Sequence, residues 1–362
     1  MNRALRSRAG RSAATSKLST AAPPISPRMA APIVSPAANG HRMDAAVEQT
    51  IAAVSGNLNG HSALNGLALD PAQLFDLRRP PGYYNAAEKV ALLRRDRKKP
   101  HDELLVDFRG RDVQLKLSAA GLPLIHGAWT WRATAAGQPL AAVGLWEESC
   151  WNRDADCDYL ELSLKLNDGW RLDRQMLLAR KDRFLYLADA LVSPQREALR
   201  DETRYATSLP LADRTLFVPA AETREAWLVQ GGKRRLTVVP PALAEWRTEF
   251  CHAELATEEG RVVLAQAALG RALYAPLFID LDPLRARRGL TWRRLTVAEN
   301  LEVVPRDVAA AYRVQVGREQ WLVYRSLAPR GNRTFLGQNY SSEFVCTRFL
   351  PSGEAKDILA VE

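Results

Sequence analysis

The chain is poor in the residues that most often announce a function. It holds only four cysteines, Cys150, Cys157, Cys251 and Cys346, and no two have CxxC spacing. So few thiols in 362 residues make no disulfide scaffold, and they read as buried or half-buried free cysteines. Cys150 and Cys157 are near enough in sequence to meet across a turn. Histidine is as scarce: of five, only His101, His126 and His252 lie beyond residue 80, and they do not cluster, which argues against zinc. There is no run of 18 apolar residues, so no membrane span is expected. The N-terminus lacks the run of about 7–15 apolar residues of a secretory signal. Together these absences point to a reducing, cytoplasmic setting. A nucleophile elbow, a phosphate-cradling glycine loop and a dinucleotide fingerprint are also missing.

An even basic surface is lacking too. The formal charge is +9, but residues 1–80 carry nine Lys/Arg against four Asp/Glu, and the other 282 carry 41 against 37. The excess of +5 thus sits in the tail and only +4 in the rest, which argues against a nucleic-acid surface outside the tail. Residues 1–43, rich in Pro, Ala and Ser, cannot offset the entropy of ordering and read as disordered, within a tail that runs to residue 80. Residues 44–55 could form a short helix behind Asp44, with Val47, Ile51 and Val54 on one face. The spacing of Asn85 and Glu88 is a capping box, predicting a helix from Asn85 to about Arg97 within a lead-in over 81–102. Its basic end, Arg94 to Lys99, suits the helix dipole, and Pro100 stops it.

What is present in abundance is alternation. Leu160, Leu162, Leu164 and Leu166 point one way, and Tyr159, Glu161, Ser163 and Lys165 the other. Period two predicts a strand with one dry and one wet face. Asn167-Asp168-Gly169 then turns the chain, and Gly231-Gly232 marks a two-residue hairpin between Trp227–Gln230 and Lys233–Val239. Similar runs continue from Leu104 to Val361, giving on the order of sixteen to twenty strands. So many strands predict an all-β antiparallel sandwich over 103–362, two-layered and supersandwich-like. No periodic blade motif supports a propeller.

The segment Arg174–Val192, RQMLLARKDRFLYLADALV, resembles a strand pair in the C-terminal β-sandwich of heparinase II/III-like polysaccharide lyases. The closing pair from Phe344 to Val361, around Pro351-Ser352-Gly353, fits the same sandwich. The resemblance spans roughly residues 105–362 and implies a β-sandwich of a kind that accompanies glycan-acting enzymes. Those lyases resemble one another in an α-helical toroid that precedes the sandwich and supplies most catalytic groups. Only about 100 residues precede the strands here, with no place for a toroid, so the resemblance carries over no catalytic residue.

Several constellations have chemical potential. Asp154, Asp156 and Asp158 alternate, and three carboxylates on one side of an extended segment could gather Ca²⁺. An EF-hand is excluded, because Tyr159 and Lys165 stand where that loop needs Gly and Glu. A lyase needs a cation to neutralise a uronate and a base such as Tyr or His. His126, His252, Tyr274, Arg333 with Asn339, and Tyr340 supply those types, and spacing selects none of them. Trp129 and Trp131 share a strand face and could stack on sugars, or fill the core. Asp189, in an apolar strand, is expected to pair with an arginine.

These observations lead to a non-catalytic glycan-binding or structural sandwich with a polysaccharide partner and no required cofactor. A polysaccharide lyase acting by proton abstraction and β-elimination is the second reading. A scaffold that binds polyanions through its basic tail and Arg94–Lys99 is the third.

Overall fold

The structure, a computed structural model, describes residues 81–98, 101–194 and 202–362. The expected disordered tail and the helix over 44–55 lie outside the described residues. Within them are 26 strands, paired antiparallel, and no α-helix.

Four sheets contain them. The first runs β1 (Tyr83–Asn85), β2 (Val90–Arg94), β3 (Glu103–Asp107), β4 (Val113–Ala119), β5 (Leu122–Ala135), β11 (Glu202–Pro210), β16 (Arg261–Leu269) and β15 (Ala253–Glu258), with β6 (Gln138–Leu140) also on β5. The second runs β12 (Thr215–Pro219), β13 (Ala226–Gln230), β14 (Lys233–Val239), β17 (Ala272–Asp280), β10 (Phe184–Val192), β9 (Arg171–Ala179), β8 (Cys157–Lys165) and β7 (Glu147–Arg153). The third is β18 (Leu290–Leu295), β21 (Ala309–Val316), β22 (Glu319–Ser326), β25 (Phe344–Phe349) and β26 (Ala355–Val361). A small fourth is β20 (Glu302–Val303), β19 (Ala298–Glu299), β23 (Arg333–Phe335) and β24 (Gln338–Tyr340).

The all-β antiparallel sandwich is therefore what the chain forms, with more layers than the two expected. One core lies between the first and second sheets, with Leu160, Leu162, Leu164, Trp129 and Trp146. Another lies between the second and third, with Tyr159, Tyr186, Phe278, Trp292 and Trp321. A third, with Leu295, Tyr324 and Phe335, joins the small sheet. The second sheet is thus covered on both faces, and β9, β10 and β17 are buried almost end to end. This corrects the wet face expected of β8: Tyr159 and Glu161 on that side are 0% and 5% exposed. Alternation marks two faces, but it cannot say whether a later strand will cover the polar one.

The helix expected from Asn85 is absent. Asn85 Oδ1 does accept the Glu88 N–H at 3.1 Å, as a capping residue would, but the bond closes a hairpin loop. Lys89 enters the left-handed region at φ 49°, and β2 pairs with β1 and with β3. Val90–Leu93 are buried on both faces, so tertiary burial outweighs a cap worth about 1 kcal/mol. The glycine hairpin is as expected: Gly231 and Gly232 have φ 61° and 72°, between Gln230 and Lys233.

Candidate functional site

The expected site residues do not converge. His126 is half-buried on β5, opposite Lys116 in the first sheet. Arg333 and Tyr340 are cross-strand partners in the fourth sheet, with two sheets between them and His126. Arg333 is 2% exposed and donates to Tyr324 Oη at 3.2 Å, Ser326 Oγ at 2.5 Å and the Pro329 carbonyl at 2.9 Å, so it works as a structural clamp. The Tyr340 ring stacks on Phe335, and burial pushes its phenol up. Asn339 accepts a hydrogen bond from Thr334 across the same hairpin.

Trp129 has no ring face for a sugar. It is 1% exposed, donates from Nε1 to Thr207 Oγ1 at 2.6 Å, and lies under the Arg174 guanidinium, 3.8 Å from its ring centre. Trp131 is half-buried against the same core. Asp189 pairs with Arg174, at 2.8 and 3.1 Å, as expected.

Each of the three alternating carboxylates faces its own protein donors. Asp154 Oδ1 accepts the N–H groups of Asp156 and Cys157, at 2.7 and 2.8 Å. Asp156 pairs with Lys181 at 2.8 Å. Asp158 is fully buried and accepts from Arg180 at 2.5 Å and from the Arg94 N–H at 2.9 Å. Among the described residues no group of three His, Cys, Asp or Glu is arranged to hold a metal ion. The cysteines are all free, with Cys157 and Cys346 buried, and Cys150 faces Glu161 across the ladder instead of Cys157.

Asp158 links the first hairpin to the second sheet, and burial pushes its carboxyl up to about 6 from an ordinary 3.8, against the opposing pull of Arg180. A raised folded-state value means that the stability this group contributes is full below 3.8 and is lost as pH rises through about 6. The stability of the wild type relative to Asp158→Asn should therefore fall by about 1 kcal/mol between pH 5 and pH 7.5. Urea midpoints at the two pH values measure this, and parallel profiles would refute it.

The basic run is partly neutralised locally: Arg94 pairs with Glu103 at 2.7 Å, and Arg95 with Asp96 at 2.7 Å and Asp102 at 3.4 Å.

A different set of residues does converge. An open cleft of about 560 Å³ lies where β15 and β16 of the first sheet, β17 of the second, and β18 and β21 of the third come together. Its floor includes Tyr274, Trp292 and Tyr312. One lip is the connection from β14 to β15, which presents Trp246 and Phe250, 46% and 83% exposed. Of the nine tryptophans, eight are buried or half-buried and Trp246 is exposed. His252 stands edge-on to Phe250, ring centres 4.5 Å apart. Arg293, Arg294 and Arg306 line the cleft, against Glu245 and Glu249.

The lip is held by its backbone. Arg224 donates to the carbonyls of Ala244 at 3.0 Å, Glu249 at 2.7 Å and Trp246. Trp292 Nε1 donates to the Leu243 carbonyl at 2.9 Å. Glu245 accepts from Thr291 Oγ1 at 2.5 Å and from the Trp292 N–H at 3.1 Å, which occupies that carboxylate. A loop fixed in this way loses little entropy when it binds. Burial pushes the Tyr274 and Tyr312 phenols well up, and Tyr274 also donates to Gln175 Oε1 at 2.7 Å. Neither phenol is disposed to act as a base.

The sequence reading overlooked Trp246, Arg293, Arg294 and Arg306. A signal existed in the run AEWRTEFCH, which places an aromatic ring among charges between two strands. Phe250 closes that run just ahead of β15, which begins only at Ala253. The three arginines carry no local motif, because folding alone assembles them.

No family model matches the chain, and no curated protein matches it. Among solved structures it is similar to heparan sulfate lyase HepC from Pedobacter heparinus, at 10% identity and a TM-score of 0.48, over 68% of this chain and 42% of that one. It is similar to heparinase III at 11% identity and a TM-score of 0.42, over 66% of this chain and 42% of that one. A beta-arabinopyranosidase matches at 11% identity and a TM-score of 0.31, over 56% of this chain and 40% of that one. The chain spans about 42% of the length of the lyase structures it matches. The likeness is one of fold.

Proposed function

We propose that the protein is a non-catalytic module that binds an acidic saccharide chain in the cleft beside Trp246. The observation that carries this reading is the single exposed tryptophan, on a pinned lip, facing a wall with three arginines. An indole presents an apolar face to the C–H face of a sugar ring and an N–H to its hydroxyls. Guanidinium groups supply paired donors for carboxylate or sulfate groups. The sugar-stacking role expected of Trp129 and Trp131 falls in this reading to Trp246.

A polysaccharide lyase is the second reading, because His252 lines the same cleft as two tyrosines and the arginines. The raised phenols and the bond from Tyr274 to Gln175 oppose it.

Calorimetric titration of the full chain with acidic and neutral oligosaccharides tests both. Trp246→Ala should weaken binding of the acidic ligand about tenfold, roughly 1.4 kcal/mol, and leave the melting temperature unchanged. Binding by wild type should weaken as salt is added. Undiminished binding by Trp246→Ala would sink the cleft assignment. Growth of the ultraviolet absorbance of an unsaturated sugar would replace the binding module with the lyase.

A further inference from the structure

Most buried or half-buried arginines of this fold face a carboxylate: Arg174 faces Asp189, Arg180 faces Asp158, Arg285 faces Asp280, Arg325 faces Glu161 and Arg348 faces Asp182. Others, such as Arg224 and Arg261, donate to carbonyls or hydroxyls. The exposed Arg293 and the half-buried Arg313 do neither among the described residues. Arg293 on β18 and Arg313 on β21 are direct cross-strand partners, so their side chains leave the same face of the third sheet. That face is settled by their neighbours. Trp292 and Val314, next in sequence, point into the core between the second and third sheets. Leu295 and Ala311, two residues along, lie in the core under the fourth sheet. The arginine pair therefore sits on the outer face, at the rim of that third core.

Two like charges placed directly opposite each other destabilise a ladder. Neither arginine forms an ion pair among the described residues, and Arg313 Nε is buried with no hydrogen-bond partner there. Burial, together with the Arg293 charge, pulls the Arg313 guanidinium down, and no carboxylate offsets this. A buried donor such as Arg313 Nε calls for an acceptor. Two planar forks on one rung offer several N–H donors and two positive charges to one small anion.

We infer that Arg293 and Arg313 form an oxyanion-binding rung that accepts a sulfate, phosphate or carboxylate group on the outer face of the third sheet. Arg293 also lines the cleft, and β18 is an edge strand of its sheet. The rung is therefore continuous with the cleft around that edge. A chain lying beside Trp246 can turn over β18 and set one anionic substituent on the rung. The extension to an oligosaccharide rests on the cleft reading, whereas the oxyanion site itself does not.

The test is melting of the full chain in inorganic sulfate and in inorganic phosphate, against chloride at equal ionic strength. Titration with a sulfated oligosaccharide and its desulfated counterpart runs alongside. Arg293→Gln and Arg313→Gln should melt at or above the wild type in chloride, because the repulsion is gone. The wild type should be stabilised by the oxyanions, since a ligand that binds only the folded state raises its stability. Each variant should lose most of that gain and bind the sulfated oligosaccharide about tenfold more weakly, while the affinity of Arg313→Gln, which lies outside the cleft, for the desulfated one holds.

Equal anion responses in wild type and both variants would overturn the rung, as would a wild type indifferent to both inorganic anions. A variant-sensitive response to inorganic anions without oligosaccharide binding would uphold the rung and sink the cleft reading. Loss of oligosaccharide binding in Trp246→Ala but not in Arg313→Gln would uphold the cleft and sink the rung.

Discussion

Arg174→Ala should destabilise the protein by about 3–5 kcal/mol, the cost of stripping one partner from a buried ion pair. Arg174 and Asp189 are both fully buried between the first and second sheets. The guanidinium donates to both Asp189 oxygens and, at 2.8 Å, to the Trp129 carbonyl. It also stacks between Trp129 and Trp146, at 3.8 and 4.7 Å from their ring centres. Removing it leaves a carboxylate with only the Tyr205 and Thr207 hydroxyls, and a gap between two indoles. The double variant Arg174→Ala, Asp189→Asn should recover part of the loss, because no uncompensated charge then remains. Urea unfolding reads both values. A loss under 1 kcal/mol in the single variant would mean that the pair is dispensable.

Glu161→Ala should have an effect of similar size, about 3–5 kcal/mol, for a related reason. Glu161 is the terminal acceptor of a buried hydrogen-bonded chain between the second and third sheets. Tyr186 donates to Tyr274 at 3.1 Å, Tyr274 to Gln175 at 2.7 Å, Gln175 to Tyr159 at 2.7 Å, and Tyr159 to Glu161. Arg325 reaches Glu161 from the third sheet, at 2.6 and 3.2 Å. Each donor points toward the one carboxylate, so deleting it frees the Tyr159 hydroxyl and leaves Arg325 with Asp173 at 3.6 Å. Glu161→Gln keeps an acceptor and loses the charge, so it should cost less than Glu161→Ala. Equal midpoints for wild type and Glu161→Ala would refute this account. Because Tyr274 is also part of the cleft floor, Glu161→Ala should weaken oligosaccharide binding without touching the ligand.

The same chain shows where sequence reading succeeds and where it stops. Lys233–Val239 matches its expected strand residue for residue, and strands fill the closing segment from Phe344 to Val361 on both sides of Pro351-Ser352-Gly353, because alternation and turn residues are local signals. Two nine-residue strands, β11 and β17, are among those that alternation does not announce. β11 is rich in Thr and Ser, and its Thr207 is buried because it donates to Asp189. β17 carries Pro276, which argues against a central strand; it lies past the end of the β14 ladder at Val239↔Phe278, where one side has no partner. The Asn85 cap was also read correctly as a local bond, and was assigned to the wrong element because only distant strands could bury Val90–Leu93.

The candidate site was less legible than the fold. Trp129 stands in the middle of β5 and Trp246 in the connection from β14 to β15, and residue type does not bury one and expose the other. The first meets Thr207, 78 residues away, across two strands. The second is held out on a lip by Arg224.

By itself, then, the sequence determined many of the longer strands, several of their turns and the antiparallel all-β class, since these follow from side-chain period and from residues that tolerate turn geometry. The tertiary structure decided how many layers stack, that the polar side of β8 is dry, and which aromatic rings and arginines share a cleft. Those outcomes depend on which strands cover which faces, and the groups that settle them are often more than a hundred residues apart, as Glu161 and Arg325 are.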